Sequence, residues 1–89
     1  MKLLKFEASW CQPCKSLSQT LSTMTLPFPV CPIDIDNDRE SAVFYGIRGV
    51  PHMILMDENE NILLRIGGNV SKSQLEEALS PYIGAENGQ

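Results

Sequence analysis

The chain has 89 residues, 43% hydrophobic, 20% charged and 7% aromatic; this excludes an intrinsically disordered chain and fits one domain in the usual range of about 50 to 250 residues. Seven basic against eleven acidic side chains leave a formal charge of −4, which disfavours a broad grip on nucleic acid phosphates. Three cysteines are too few, and odd in number, for a disulfide-stapled miniprotein.

From the N-terminus, Leu3 to Ala8 is a short, mostly apolar stretch that reads as a strand. Met1 to Glu7 opens like a secretory leader, but charges interrupt its apolar core well before the ~7 to 15 residues that a leader needs. No apolar run approaches the ~18 to 20 residues of a bilayer span. A cytoplasmic chain with no membrane partner is therefore expected. After Ser9-Trp10 comes the C-x-x-C motif Cys11-Gln12-Pro13-Cys14. Behind it Cys14, Leu17, Leu21 and Met24 form one stripe of an amphipathic helix. Pro13 suits the first turn of that helix, where a missing N–H costs nothing, and this sets Cys11 at the helix N-terminus.

Leu26-Pro27-Phe28-Pro29 breaks the helix. Val30 to Asp36 reads as a second strand, with Ile33 and Ile35 alternating with acids. Pro32 cannot donate a ladder hydrogen bond and favours an edge position. Asp36 or Asn37 is expected to cap a short helix over Asp38 to Tyr45, stopped by Gly46 in a left-handed conformation. Ile47 to Pro51 is a loop. His52 to Met56 and Ile62 to Ile66, joined by the polar turn Asp57 to Asn61, read as a β-hairpin. Gly67-Gly68-Asn69 breaks the chain before a last helix that begins near Ser71 with Gln74 at capping-box spacing and buries Leu75, Ala78, Leu79, Tyr82 and Ile83. Pro81 should weaken or bend its final turn. The pattern predicts one α/β domain over residues 1–84 and a flexible tail over 85–89. Its mixed four-stranded sheet should run in the order 2-1-3-4, flanked by three helices on both faces.

Two thiols one helical turn apart can close a small disulfide ring, one sulfur exposed and the other recessed. A free thiol with a pKa of ~8.5 is mostly protonated at neutral pH; lowering it by ~1.5 units takes about 2 kcal/mol, part of which a helix N-terminus supplies. Cys11 is thus the candidate nucleophile and Cys14 the resolving thiol. The same pair could be half of a zinc site completed by Cys31 and His52. Zinc sites usually pair two close-spaced motifs, however, and Cys31 and His52 are isolated. No metal or other cofactor is expected. Cys31 reads as a small buried hydrophobe. His52 reads as a strand-start residue whose titration would tune the neighbouring thiol.

Ala8-Ser9-Trp10-Cys11-Gln12-Pro13-Cys14-Lys15 resembles the W-C-G-P-C-K signature of the thioredoxin family, with Gln12 in place of the usual glycine. Ile33 to Asp36 resembles the family's parallel strand beside the active-site strand, Tyr45 to Pro51 the segment with its cis-proline, and Ile66-Gly67-Gly68 its glycine turn. The resemblance implies that Pro51 is cis and faces the disulfide, and that Val50 docks an extended substrate segment by backbone pairing. It further implies a substrate-binding rim of Trp10, Gln12, Pro13, Gly49, Val50, Pro51, Gly67 and Gly68. The alternatives are an ordinary turn proline at Pro51 and a core aromatic at Trp10.

The chain departs from the family in three ways. It starts at the strand that leads into the motif, so the first βα unit of full-length thioredoxins is expected to be missing, as in compact, glutaredoxin-sized members such as those of bacteriophages. The family's buried aspartate falls on Lys5 and its lysine partner on Pro32. Glu7, two residues on, lies on the same strand face as Lys5 and either pairs with it or takes the proton role; Lys5 otherwise snorkels to the surface or, if near Cys14, stabilises its thiolate. Gln12 alters the dipeptide between the cysteines, which bears on thiol pKa and disulfide stability.

The resemblance implies a monomeric disulfide reductase that passes electrons from a thioredoxin reductase-type donor to protein disulfides, with ribonucleotide reductase among the family's substrates. The rival is a glutathione-dependent, glutaredoxin-like protein. Against it, glutaredoxins favour C-P-Y-C and a TVP loop, where this chain has Cys11-Gln12-Pro13-Cys14 and Gly49-Val50-Pro51. A third reading is a non-catalytic partner subunit that uses the same surface for docking.

Overall fold

The computed structural model describes the backbone of residues 1–87 and the side chains of residues 1–83. Its elements follow the order β1 (Lys2–Glu7), α1 (Gln12–Ser22), β2 (Val30–Asp34), α2 (Arg39–Phe44), β3 (His52–Met56), β4 (Ile62–Gly67) and α3 (Lys72–Asn87). The strands form one sheet in the order β2-β1-β3-β4. β1 pairs parallel with β2 and antiparallel with β3, and β3 pairs antiparallel with β4. A parallel β1–β2 pair needs a crossover, and α1 supplies it.

β1 is central because alternate side chains feed two cores. Leu3 packs with Leu17 and Leu21 of α1, Met53 and Leu55 of β3, and Leu75 and Leu79 of α3. Leu4 and Phe6 turn to the opposite face, with Ile54 and Met56 and the half-buried Tyr45 and Ile47. Leu3, Phe6, Leu17, Leu75 and Leu79 are fully buried, and each such side chain contributes about 1.5 to 3 kcal/mol of hydrophobic stabilisation. The helical stripe of α1 therefore positions the cysteine motif: Leu17 and Leu21 lock the helix to the sheet, and Cys14 follows on the same face.

β2 lies at the sheet edge, where Pro32 sits opposite Lys5 of β1. An edge strand tolerates a residue with no N–H, and the proline blunts pairing with another chain. Gly46 has φ +69 and ends α2 in the left-handed region. The hairpin turn is held by Asp57, whose Oδ1 accepts from the backbone N–H groups of Asn59 and Asn61, each at 2.9 Å. The capping box of α3 is present: Ser71 Oγ accepts from the Gln74 N–H at 3.2 Å and Gln74 Oε1 from the Ser71 N–H at 2.9 Å.

Several boundaries differ from the expectation. The cap of α2 is Asp38, not Asp36 or Asn37, and its carboxylate accepts from the Ser41 N–H at 3.1 Å. Asp36 and Asn37 lie in the turn before it, where the Asp34 carbonyl accepts from the N–H groups of Asn37 at 3.0 Å and Asp38 at 2.8 Å. α3 continues past Gly84 to Asn87, into the stretch assigned to a tail, because Ala85 and Glu86 are good helix formers and no proline follows. Gly88 and Gln89 lie outside the described residues. Pro81 stands inside α3, and Ser80 Oγ donates to the Glu77 carbonyl at 3.0 Å. That carbonyl is the one the absent N–H of Pro81 would otherwise have bonded.

Candidate active site

β1 delivers the chain to a tight turn in which the Cys11 N–H bonds the Ala8 carbonyl at 3.1 Å. Cys11 is the N-cap of α1, in an extended conformation with φ −95 and ψ 103, and a proline occupies the first turn. The first N–H groups of a helix have no partner within it. One of them, on Cys14, donates to Cys11 Sγ at 3.1 Å. The cysteine sulfur thus stands where a serine or aspartate oxygen would normally cap the helix. The same sulfur is joined to Cys14 in a disulfide, with the two Cα atoms 5.2 Å apart.

Both cysteines are buried, Cys11 at 4% and Cys14 at 2% relative exposure. This corrects the expectation of one exposed and one recessed sulfur. Ala8 and the half-buried Ile35 and Val50 pack over the pair, so neighbouring elements cover Cys11 as thoroughly as the helix covers Cys14.

The Val50–Pro51 peptide bond is cis. Val50 touches the cysteine cluster, and Pro51 is fixed from behind by the Gly68 N–H, which donates to its carbonyl at 3.0 Å. Gly68 has φ +84, a left-handed conformation that a residue with a Cβ adopts only at a cost. Gly67 ends β4 opposite His52, and a Cβ there would meet His52 Nδ1 at 3.4 Å. The structure therefore joins Val50 to the cysteines and Gly68 to Pro51.

Trp10 is 66% exposed, which dismisses a core role. Its indole N–H donates to Asp36 Oδ2 at 2.9 Å. Asp36 is a site residue that local sequence does not reveal; its one signal is an acid following the strand predicted to run parallel to β1. Gln12 and Pro13 are exposed beside Cys11. Gly49 is exposed too, and a Cβ added to it would meet nothing within 4 Å.

Lys5 is the one charged residue among the described buried residues, at 2% exposure, and its Nζ is ion-paired with Glu7 Oε1. Burial overturns the snorkelling alternative. The ammonium is too far inside the β1–α1 interface to reach bulk water, so it takes the carboxylate two residues along its own strand face. Behind the disulfide, a cavity of about 230 Å³ is lined by Glu7, Ser9, Cys14, Lys15, Ser18 and Asp34 among others.

His52 begins β3 opposite Phe6 and Gly67. Its Nε2 is buried without a hydrogen-bond partner, and burial, followed by the charge of Arg65, holds its pKa below the ordinary value. Cys31 is a free, half-buried thiol against the Leu4 and Phe6 core. Among the described residues, no group of three or more His, Cys, Asp or Glu side chains could hold a metal ion.

The family model described as Thioredoxin matches residues 1–81. The chain belongs to the thioredoxin family. It is 34% identical over 85 residues to a thioredoxin of Buchnera aphidicola subsp. Baizongia pistaciae, covering 91% of this chain and 77% of that protein. It is 31% identical over 85 residues to a thioredoxin of Pseudomonas aeruginosa, covering 91% and 78%. Among solved structures, a mutant thioredoxin from Halobacterium salinarum superposes with a TM-score of 0.83 at 30% identity, over 92% of this chain and 74% of that one. Thioredoxin 1 of Thermosipho africanus superposes with a TM-score of 0.83 at 22% identity, over 98% and 99%, a likeness of fold. With thioredoxin relatives and a joined C-x-x-C pair, the chain is a thiol–disulfide oxidoreductase. Thioredoxins act with a reductase and with disulfide substrates. Among the described residues, no helix is long and apolar enough to cross a membrane.

Proposed function

We propose that this thioredoxin reduces disulfides in other proteins, with Cys11 as the nucleophile and Cys14 as the resolving thiol. The Cys11 thiolate attacks one sulfur of the substrate disulfide; that S–S bond breaks, a mixed disulfide forms, and the other substrate sulfur leaves as a thiolate. Cys14, deprotonated, then attacks Cys11 Sγ, closing the Cys11–Cys14 disulfide and expelling the second substrate sulfur. Two electrons pass to the substrate, and a thioredoxin reductase-type donor returns them. The observation that carries this reading is the hydrogen bond from the Cys14 N–H to Cys11 Sγ, which places the start of a helix, with its partial positive charge, on the sulfur that must bear a negative one.

Substrate docking rests on the backbone of the half-buried Val50 before the buried Pro51, the exposed glycine pair Gly67 and Gly68, and the exposed Trp10, with Gln12 and Pro13 beside the nucleophile. Backbone pairing to Val50 accepts varied sequences, which suits a reductase of many proteins. A cytoplasmic monomer fits this role, and ribonucleotide reductase is one substrate that family membership suggests.

Insulin disulfide reduction tests the proposal. Wild-type protein should turn over with NADPH and thioredoxin reductase, and both Cys11→Ser and Cys14→Ser should be inactive. Turnover only with glutathione and glutathione reductase would make the chain glutaredoxin-like. Failure with both donors, with Cys11→Ser indistinguishable from wild type in every function of the protein, would leave a docking subunit. With a disulfide substrate, Cys14→Ser should accumulate a covalent adduct that Cys11→Ser does not form.

A further inference from the structure

Closing the Cys11–Cys14 disulfide requires Cys14 to give up a proton from a site that is 2% exposed. The cavity of about 230 Å³ behind Cys14 offers two carboxylates, Glu7 and Asp34, and one ammonium, Lys15. Asp34 is already engaged: Oδ1 accepts from the Asp36 N–H at 2.9 Å and Oδ2 from Asn37 Nδ2 at 3.3 Å. Glu7 is bonded through Oε1 to Lys5, and it also lines a second cavity, of about 370 Å³, with Lys5, Ser18 and Pro32 at the β2 edge. Glu7 and Ser18 are common to both cavities. The carboxylate thus stands between the back of Cys14 and the outer strand, lining two spaces that each hold polar side chains among their walls and are each far larger than one water molecule requires.

We propose that Glu7 takes the proton of Cys14, through water in this cleft, when the mixed disulfide resolves, and that Lys5 is the positioning residue that holds the carboxylate there. This assignment rests on the disulfide reductase reading above. In the step, the Cys14 S–H proton passes through water to the Glu7 carboxylate as Cys14 Sγ attacks Cys11 Sγ. The Cys11–Cys14 bond forms, the bond from Cys11 to the substrate sulfur breaks, and the electron pair leaves on that sulfur as a thiolate. Cys14 is oxidised and the substrate sulfur reduced. Glu7 then returns the proton to solvent along the cleft. Lys5 acts because an unpaired buried ammonium is costly, so the pair keeps the carboxylate at one place on the strand.

The test follows decay of the mixed disulfide between the reduced full chain and a disulfide peptide, by acid quench and mass spectrometry, from about pH 6 to about pH 10. Glu7→Gln should slow the decay by roughly a hundredfold near pH 7, the lower end of what a positioned base supplies. The deficit should vanish above the free-thiol pKa of about 8.5, where Cys14 ionises unaided. Lys5→Met should slow decay less, with the same convergence at high pH. The double variant Lys5→Met/Glu7→Gln leaves no lone buried charge and should reproduce the Glu7→Gln profile, which decides the matter if the single variant does not fold. Asp34→Asn should decay at the wild-type rate. A folded Glu7-substituted chain that resolves at the wild-type rate near pH 7, a deficit equal at every pH, or a loss in Asp34→Asn instead would overturn the assignment. If wild type forms no mixed disulfide at all, the reductase reading itself fails, an outcome distinct from these.

Discussion

The backbone N–H of Cys14 points at Cys11 Sγ from 3.1 Å, so the residue that resolves the mixed disulfide also supports the sulfur that starts it. The arrangement follows from local sequence. Pro13 sits in the first turn of α1, where it has no N–H to waste, and leaves the Cys14 N–H as a donor facing the cap position. Leu17 and Leu21 then fix the helix against β1 and β3. The same contacts that fold the chain aim the donor.

Gly68 links the docking loop to the last strand. Its φ of +84 and its N–H bond to Pro51 predict that Gly68→Ala costs about 1 to 2 kcal/mol, the penalty for a Cβ in the left-handed region. No neighbouring atom lies within 4 Å of the added methyl group, so the loss is conformational and not a clash. Urea unfolding measures it, and substrate KM should rise while alkylation of Cys11 stays at the wild-type rate.

His52 should make stability depend on pH near neutrality. Burial comes first, and the Arg65 charge second, in lowering its folded-state pKa from about 6.5. The unfolded chain therefore binds the proton more readily. Stability is full above the unfolded pKa, falls as pH drops through it, and levels off once pH is below the folded pKa. Subtracting urea midpoints of His52→Gln from those of wild type, across about pH 5 to 8, should isolate a loss toward acid; a flat difference would refute it.

Much of this molecule was legible because β1, α1 and the hairpin carry unambiguous periodicity. Pro32 announced an edge strand, Gly46 a left-handed stop, and Ser71 with Gln74 a capping box. What stayed hidden depends on contacts between distant residues. Asp36 looked like a helix cap by local pattern, but it lies in a turn closed on the Asp34 carbonyl, the cap is Asp38, and the Asp36 carboxylate accepts from the distant Trp10 indole. The burial of Cys11 comes from Val50 and Ile35, which no spacing around the motif reveals. Lys5 allowed surface exposure, pairing with Glu7 or a contact with Cys14, and only the packing of α1 over β1 shows it buried and paired.

α3 is started by its capping box and carried past Pro81 with help from Ser80. Ser71→Ala should destabilise the protein by about 1 kcal/mol, the usual value of such a cap. Ser80→Ala removes the hydroxyl bonded to the Glu77 carbonyl, and should speed amide hydrogen exchange in the last turns of α3 while leaving α1 unaffected. Equal exchange in both helices would contradict that role.

The most direct test is the pH dependence of iodoacetamide alkylation at Cys11 in the reduced protein, resolved by peptide mass mapping. With a helix N-terminus on its sulfur, Cys11 should titrate below the free-thiol value of about 8.5 and react at neutral pH faster than Cys31 and than an unstructured peptide thiol. An inflection at the free-thiol value, with Cys11 no faster than either comparison, would contradict the account.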